Sequence, residues 1–194
     1  MKKDIILAGV GGQGILSIAA TIGTAAVAQN LYLKQAEVHG MSQRGGDVHS
    51  NLRLSDKPIA SDLIPMGKAD IIISVEPMES LRYLNFLNDE KGWLITNTTP
   101  FNNIPNYPNQ EDLVDEIKKQ ARHIALNADQ IAKDIGVKKA ANIVVLGAAS
   151  PFLDIEYGAL EDAIRAIFKK KGQEVIDVNL EALKAGRDFA EKHK

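Results

Sequence analysis

Residues 9 to 14 hold four glycines, and apolar runs flank them on both sides. That stretch, Gly9-Val-Gly-Gly-Gln-Gly14, constrains the fold more than any other. The run before it, Ile5 to Ala8, is short enough for a buried strand, and the run after it, Ile15 to Ala28, is long enough for a helix. Strand, glycine-rich turn and helix in succession aim backbone N–H groups and a helix N-terminus at one point, where an anion can bind. Gly9, Gly11, Gly12 and Gly14 fit the spacing G-x-G-x-x-G, which alone is a weak signal. A tight strand-to-helix turn packed under a sheet is the alternative reading. The helix is apolar nearly all round, from Ile15 to Val27, so it is expected to be buried on both sides.

The rest of the chain alternates strands with helices. Leu31 to Leu33 reads as a second strand. Glu37-Val-His-Gly-Met-Ser-Gln-Arg-Gly-Gly46 reads as a loop with functional polar groups, because it is rich in glycine and poor in apolar anchors. Val48 to Leu54 alternates, with Val48, Ser50, Leu52 and Leu54 on one face and His49, Asn51 and Arg53 on the other. Ser55-Asp-Lys-Pro58 is a turn, after which Ile59 to Ser61 is expected to return as the second arm of a hairpin. Ala69 to Val75 is a β-branched central strand. Pro77 then opens a helix with Leu81, Leu84 and Leu87 on its inner face. Trp93 to Thr96 is a strand ending at Asn97-Thr-Thr-Pro100, and residues 101 to 110 form an irregular connection.

Glu111 to Arg122 reads as a helix with Leu113, Ile117 and Ala121 inward, and Ile124 to Leu126 as a strand. Ala128 to Ile135 is a short helix stopped by Gly136. Ala140 to Ala149 mixes β-branched residues with alanine, and its length favours a buried helix. Leu160, Ile164, Ile167 and Phe168 mark an amphipathic helix. Lys169 to Lys171 complement its dipole and Gly172 stops it. Asn179 is placed to cap a last helix carrying Leu180, Leu183 and Phe189. The pattern predicts one α/β domain over residues 1–194: three layers, with a mostly parallel sheet, helices on both faces and an inserted β-hairpin.

Charge and cysteine content narrow the chemistry. The net charge of −2 recommends neither a nucleic acid nor an anionic membrane as partner. The chain has no cysteine, so it forms no disulfide and offers no thiolate to zinc or to an iron–sulfur cluster. The start, Met1-Lys-Lys with Ala26-Val-Ala28 downstream, imitates a signal peptide, but Asp4, Gln13 and the glycines interrupt the apolar run. A cytoplasmic strand and helix is the expected reading, and no apolar run is long enough to span a bilayer.

Three functional readings fit the glycine turn. A dinucleotide-binding Rossmann domain needs an acidic residue at the tip of the second strand about 20 residues on. Glu37, 23 positions after Gly14, has tolerable spacing, but it opens a polar glycine loop instead of closing a strand. An adenylate-forming activating enzyme is echoed by Gly9–Gly14 and by Ser50-Asn-Leu-Arg53, but this chain lacks the cysteines that such an enzyme uses. The third reading takes in nearly the whole chain. Gly9-Val-Gly-Gly-Gln-Gly14, Glu37-Val-His-Gly-Met-Ser-Gln-Arg-Gly-Gly46, Ser74-Val-Glu-Pro77 and Asn97-Thr-Thr-Pro100 occur in order, followed by Asn142 with Leu146-Gly147-Ala148, and by Asn179 with Ala185-Gly186. Together they resemble the gamma-type subunit or domain of the 2-oxoacid:ferredoxin oxidoreductases, the third domain of the pyruvate enzyme. The His39-to-Gly46 loop is most similar to that of the indolepyruvate-type beta subunit.

The resemblance implies an oxidoreductase that decarboxylates a 2-oxoacid, indolepyruvate or another arylpyruvate, to an acyl-CoA and CO2 while reducing ferredoxin. It implies a complex using thiamine diphosphate, Mg, iron–sulfur clusters and coenzyme A, none of them bound by this chain alone. A larger thiamine- and iron–sulfur-containing subunit is the expected partner. The expected task of this chain is to close that subunit's site and to contact an anion. Arg44 is the leading side chain, because its fork suits a carboxylate or a phosphate, with Ser42 and Gln43 as supporting donors. Gly9, Gly11, Gly12, Gln13, Gly14, Gly45 and Gly46 are the expected cofactor-contacting positions, and no metal ligand is expected. Glu37 and Glu76 either orient Arg44 or form structural ion pairs. His39 and His49 are read as hydrogen-bonded structural residues, and Met41 and Met78 as packing.

Overall fold

The computed structural model describes residues 1–40, 45–102, 104–137 and 139–194. Its frame is set by β1 (Lys2–Val10), whose side chains from Asp4 to Val10 are all buried. A strand that is apolar on both faces must have a layer packed on each side. Ile5 and Leu7 face one layer, while Ile6 and Ala8 face the other. Among the described residues six strands form one sheet in the order β2-β3-β1-β4-β5-β6. These are β2 (Tyr32–His39), β3 (Asp47–Ser55), β4 (Ile71–Ser74), β5 (Trp93–Asn97) and β6 (His123–Leu126) beside β1. Strands β1, β4, β5 and β6 run parallel, with Leu7 opposite Ile73 and Ile73 opposite Ile95. Strands β2 and β3 join antiparallel, with Leu7 opposite Ser50 and Ser50 opposite Glu37.

The Ile5/Leu7 face is covered by α1 (Ile15–Ala28), α4 (Ala128–Asp134), α5 (Ala141–Ala149), α6 (Tyr157–Phe168) and α7 (Gln173–His193). The Ile6/Ala8 face is covered by α2 (Pro77–Arg82), by the 3-10 turn Leu84–Phe86 and by α3 (Gln110–Lys118), which sends in Ile117. The result is the three-layer α/β arrangement that the sequence predicts. Among the described residues no helix is long and apolar enough to cross a membrane.

Several local expectations are corrected. The hairpin is β2–β3, whose strands are joined across residues 40–46. Residues 59–61 are not its return arm, because the Arg53 guanidinium fastens that segment by donating to the carbonyls of Ser61 (3.0 Å) and Leu63 (2.9 Å). Glu37, Val38 and His39 therefore belong to a strand and not to a loop. The first helix is not buried all round: Leu16 and Val27 are 56% and 58% exposed on its outer side. Helix α2 ends at Arg82, so Leu84 lies in the following 3-10 turn. Helix α3 stops at Lys118, which leaves Ala121 exposed. Asn179 caps nothing. It lies within α7, which begins after Gly172 (φ 95°), and its Nδ2 donates to the Val175 carbonyl one turn back (2.7 Å).

The last motif pair has a packing explanation. A Cβ placed on Gly147 would lie 2.0 Å from the Leu183 carbonyl oxygen, and one on Gly186 would lie 1.9 Å from that of Val144. Helices α5 and α7 therefore touch backbone to backbone, which any larger residue at either position would prevent.

Candidate functional site

Parallel strands leave their carboxyl ends along one edge of the sheet, and the connections that follow them define a crevice there. In this protein those connections are the glycine turn after β1, Val75-Glu76 after β4, Asn97-Thr-Thr-Pro100 after β5 and Asn127 after β6. They line a cleft of about 400 Å³ with Gly12, Gln13, Val75, Asn97, Phe101, Asp129, Lys139 and Asn142.

Gln13 locks the turn. Its Oε1 accepts the Val10 N–H (2.8 Å), its own N–H donates to the Val10 carbonyl (3.1 Å), and its Nε2 reaches the Val75 carbonyl (3.5 Å). Gly9 is required by packing, since a Cβ there would lie 2.5 Å from a Val75 methyl and 2.9 Å from Ile15. Gly14 precedes α1 at φ 82°, and its carbonyl accepts the Ser17 N–H (3.0 Å) and Asn142 Nδ2 (3.2 Å). Asn142, 128 residues further on, thus ties the start of α5 to the turn. The Gly11 N–H donates to the Gly46 carbonyl (2.9 Å), which brings the two glycine-rich motifs side by side. With the Gly11 and Gln13 donors engaged inside the protein, Gly12 is the exposed point of the turn. Its φ is 99°, and a Cβ added to it would meet no atom within 4 Å.

The floor of the cleft is a hydrogen-bonded frame. Asn97 Nδ2 donates to Asp129 (2.8 Å) and to the Val75 carbonyl (3.4 Å), while its Oδ1 accepts the N–H groups of Ala128 (3.0 Å) and Thr99 (3.3 Å). Buried Glu76 caps α2 by accepting the Glu79 N–H (2.9 Å). Glu76 also accepts from the Phe101 N–H (3.4 Å) and from the Tyr107 hydroxyl. Burial, reinforced by the Glu76 carboxylate, pushes the Tyr107 phenol far above its ordinary range. Ser74 Oγ completes the cap by donating to the Glu76 carbonyl (2.6 Å). Ser74-Val-Glu-Pro77 is therefore a helix start built from its own side chains.

Ser42, Gln43, Arg44 and Met41 lie outside the described residues. Their flanks are described: the Gly40 N–H donates to the Asp47 carbonyl (2.9 Å), and Gly45 has φ 76°. Behind Asp47, His49 Nδ1 lies 3.0 Å from the Tyr83 hydroxyl, and the two rings are 4.6 Å apart. Burial lowers the His49 pKa against an opposing pull from Asp47. Burial and the nearby carboxylates of Asp47 and Glu79 push Tyr83 up to about 12. Burial likewise raises the Glu79 pKa, opposed by its ion pair with Arg82 (2.7 Å). His39 pairs with Glu37 in β2. Both histidines thus have the hydrogen-bonded settings expected from the sequence, and Met78 is half-buried.

The other two readings meet geometric obstacles. Glu37 sits on the edge strand β2, with β3 between it and β1. At roughly 4.8 Å per strand, that places it ~10 Å across the sheet from the glycine turn instead of on the adjacent strand. Ser50-Asn-Leu-Arg53 is structural. Asn51 Oδ1 accepts the Ile64 N–H (3.0 Å), and Arg53 grips buried Asp4 through Nε (2.7 Å) and Nη2 (3.2 Å). That pair lies at the amino end of β1, away from the cleft.

Sequence reasoning does not single out Asp129, Lys139, Tyr83 or Tyr107. Asp129 and Tyr107 come into place only through the β5 and β6 connections, and Lys139 is one lysine among many. Asn97 is legible only as part of a motif.

The comparisons with known proteins agree with this fold. The family model described as pyruvate ferredoxin/flavodoxin oxidoreductase matches residues 4–189. The chain is 39% identical to the indolepyruvate oxidoreductase subunit IorB of Archaeoglobus fulgidus, over 98% of this chain and 96% of that one. Among solved structures it resembles the 2-oxoglutarate:ferredoxin oxidoreductase of Magnetococcus marinus, determined with 2-oxoglutarate, coenzyme A and succinyl-CoA bound (TM-score 0.77, 23% identity, 100% of this chain but 32% of that longer one). It also resembles the gamma subunit of a keto/oxoacid ferredoxin oxidoreductase from Geobacter sulfurreducens (TM-score 0.71, 23% identity, 98% and 99% coverage). With a family match along almost its entire length and a relative of such identity at full coverage, this chain belongs to the pyruvate ferredoxin/flavodoxin oxidoreductase family.

Proposed function

We propose that this chain is the gamma-type subunit of an indolepyruvate- or arylpyruvate-oxidising, coenzyme A-dependent 2-oxoacid:ferredoxin oxidoreductase, and that it completes the active site of a larger subunit. The relatives that match over their full length support the subunit reading and its 2-oxoacid chemistry. The observation that carries the site assignment is the cleft at the carboxyl ends of the parallel strands, where the turn exposes Gly12 beside Asn142 and Lys139.

The groups that such an enzyme uses differ in how well these residues suit them. The chain has no cysteine, so it supplies no thiolate for iron–sulfur clusters, and these are assigned to the larger subunit. Thiamine diphosphate and its Mg are assigned there too, since the described cleft has a single carboxylate, Asp129, and that one is engaged by Asn97. Coenzyme A fits better: Gly12 lets a ligand approach the backbone closely, Asn142 is an amide at the rim, and Lys139 is a cation for phosphate. When bound, coenzyme A supplies the thiol that accepts the acyl group. This chain's part is to orient that thiol carrier and exclude water. Arg44, with Ser42 and Gln43 beside it, is assigned to the carboxylate of the oxoacid or to a phosphate, where a bidentate fork gives direction as well as charge.

Co-expression with the larger subunit tests the reading. The expected product is one co-eluting, iron-containing complex that reduces ferredoxin only when both an aryl 2-oxoacid and coenzyme A are present. An isolated chain that binds NAD tightly and stoichiometrically, and ignores the larger subunit, would overturn it.

A further inference from the structure

The chain has five phenylalanines. Phe86, Phe152, Phe168 and Phe189 pack against the two cores, and Phe101 does not. It is 43% exposed and lines the cleft, where it is the one aromatic ring among the described lining residues. Val75, Ala141 and Val145 line the same space, so the ring belongs to an apolar section of it. Among the described residues no other ring stacks on it. An aromatic face kept in water carries an unfavourable hydration free energy until something flat and apolar covers it.

The backbone at Phe101 is fixed although its ring is uncovered. Pro100 restricts the chain just before it. The Phe101 N–H donates to buried Glu76 (3.4 Å), whose carboxylate also accepts the Tyr107 hydroxyl and the Glu79 N–H (2.9 Å). One carboxylate thus ties Phe101 and Tyr107 to the start of α2. The strand that feeds Phe101 is β5, two places from β1, which feeds Gly12. At roughly 4.8 Å per strand, the two contributions enter the cleft ~10 Å apart. The end lined by Gly12, Asn142 and Lys139 is the one assigned above to coenzyme A. That leaves the aromatic end for the acyl group that the thiol receives.

We propose that Phe101 is a specificity-determining residue, whose ring stacks on the aryl group of the 2-oxoacid and so favours flat aromatic substrates over branched aliphatic ones. The inference rests on the functional reading above and deepens it, because it puts the recognition of the substrate's side chain partly on this chain. An aromatic pair contributes beyond the area it buries, whereas an aliphatic side chain against the same ring contributes area alone. Phe101 has no group that moves a proton or binds an anion. Its effect is therefore on the choice between substrates and not on the chemical step.

The assembled complex is the material for the test, at saturating coenzyme A, with phenylpyruvate and 2-oxoisovalerate as the aromatic and the aliphatic probe. Phe101→Ala should lower kcat/KM for phenylpyruvate about tenfold, through KM, and leave that for 2-oxoisovalerate nearly unchanged. Phe101→Leu keeps apolar bulk without a ring and should show the same selective loss. Phe101→Tyr keeps the ring and should retain the wild-type ratio of the two substrates. Co-elution with the larger subunit and iron content check assembly. An unchanged substrate ratio in both Phe101→Ala and Phe101→Leu overturns the inference, and so does a loss confined to the KM of coenzyme A. Failure of both variants to co-elute with the larger subunit would make Phe101 an interface residue and overturn it as well. In each of these cases turnover by the wild-type complex leaves the functional reading standing. If the wild-type complex oxidises neither oxoacid, that reading falls and the inference falls with it.

Discussion

At the scale of single residues, buried polar groups separate stability from function. Asp4 is fully buried and gripped in two places by Arg53, whose remaining nitrogen holds the carbonyls of Ser61 and Leu63. Removing Arg53 leaves the exposed Lys2 ammonium (2.9 Å) as the remaining counter-charge of Asp4, and losing one partner of a buried pair costs about 3–5 kcal/mol. Arg53→Ala should therefore lower the urea midpoint of the chain sharply, and Asp4→Asn combined with Arg53→Met should recover part of the loss. His49 gives a pH signature. Its folded pKa lies below the ordinary value of 6.5, so below that pH the unfolded chain takes up a proton that the folded chain refuses. Stability then falls as pH drops through 6.5 and is regained above it. His49→Gln should flatten denaturation midpoints measured across that window. Arg44 is proposed to act in function. Lysine keeps its charge but not its fork, so Arg44→Lys in the assembled complex should cost about 1.5–3 kcal/mol of transition-state or ligand binding, roughly ten- to a hundred-fold. Steady-state kinetics would show the loss in the KM of the oxoacid or of coenzyme A. Unchanged kinetics for both Arg44→Lys and Arg44→Ala would return the loop to a structural role.

Among the elements, the contact between α5 and α7 is the least tolerant. Gly147 and Gly186 each face the other helix's backbone at a distance that leaves no room for a methyl group. Overpacking a core typically costs about 1–3 kcal/mol, and here the obstacle is a carbonyl that cannot rotate away. Gly147→Ala and Gly186→Ala should each reach or exceed the top of that range in thermal denaturation. Gly158 in α6 is the control, because no atom lies within 4 Å of a Cβ there. Gly158→Ala should be neutral, or stabilising by up to about 1 kcal/mol through helix propensity alone. Helix α5 also shows how an ambiguous stretch resolves. Ile143, Val144 and Val145 favour a strand, but a residue as small as Gly147 on the α7 side makes helix-on-helix burial the better solution.

For the molecule as a whole, exposed apolar side chains also lie away from the cleft. Leu16 and Val27 lie exposed on the outer face of α1, and Tyr32 and Val38 lie exposed on the edge strand β2. We propose that this apolar area is covered in an assembly. The isolated chain is therefore expected to self-associate, and co-expression with the larger subunit to replace that with a single defined complex in size-exclusion chromatography. An isolated chain that stays monomeric at high concentration and ignores the larger subunit would count against this.

The sequence alone determined the strand–turn–helix start, the helix breaks at Gly136 and Gly172, the helical state of residues 141–149 and the three-layer α/β class. All of these rest on periodicity, length and local backbone preference, which act within a few residues. Only the tertiary structure decided the rest. Glu37 to His39 look like loop until β3 pairs with them, because a strand at a sheet edge need not be apolar. The pattern sets the hairpin one arm too late, because Arg53, anchored on Asp4 from the far end of the chain's first strand, holds residues 61–63 out of the sheet. Asn142 can be seen as part of a motif, but its hydrogen bond to Gly14 cannot, nor the Gly11–Gly46 bond that joins the two glycine loops. Contacts between residues far apart in the chain leave no periodic trace in it, and the cleft is made almost entirely of such contacts.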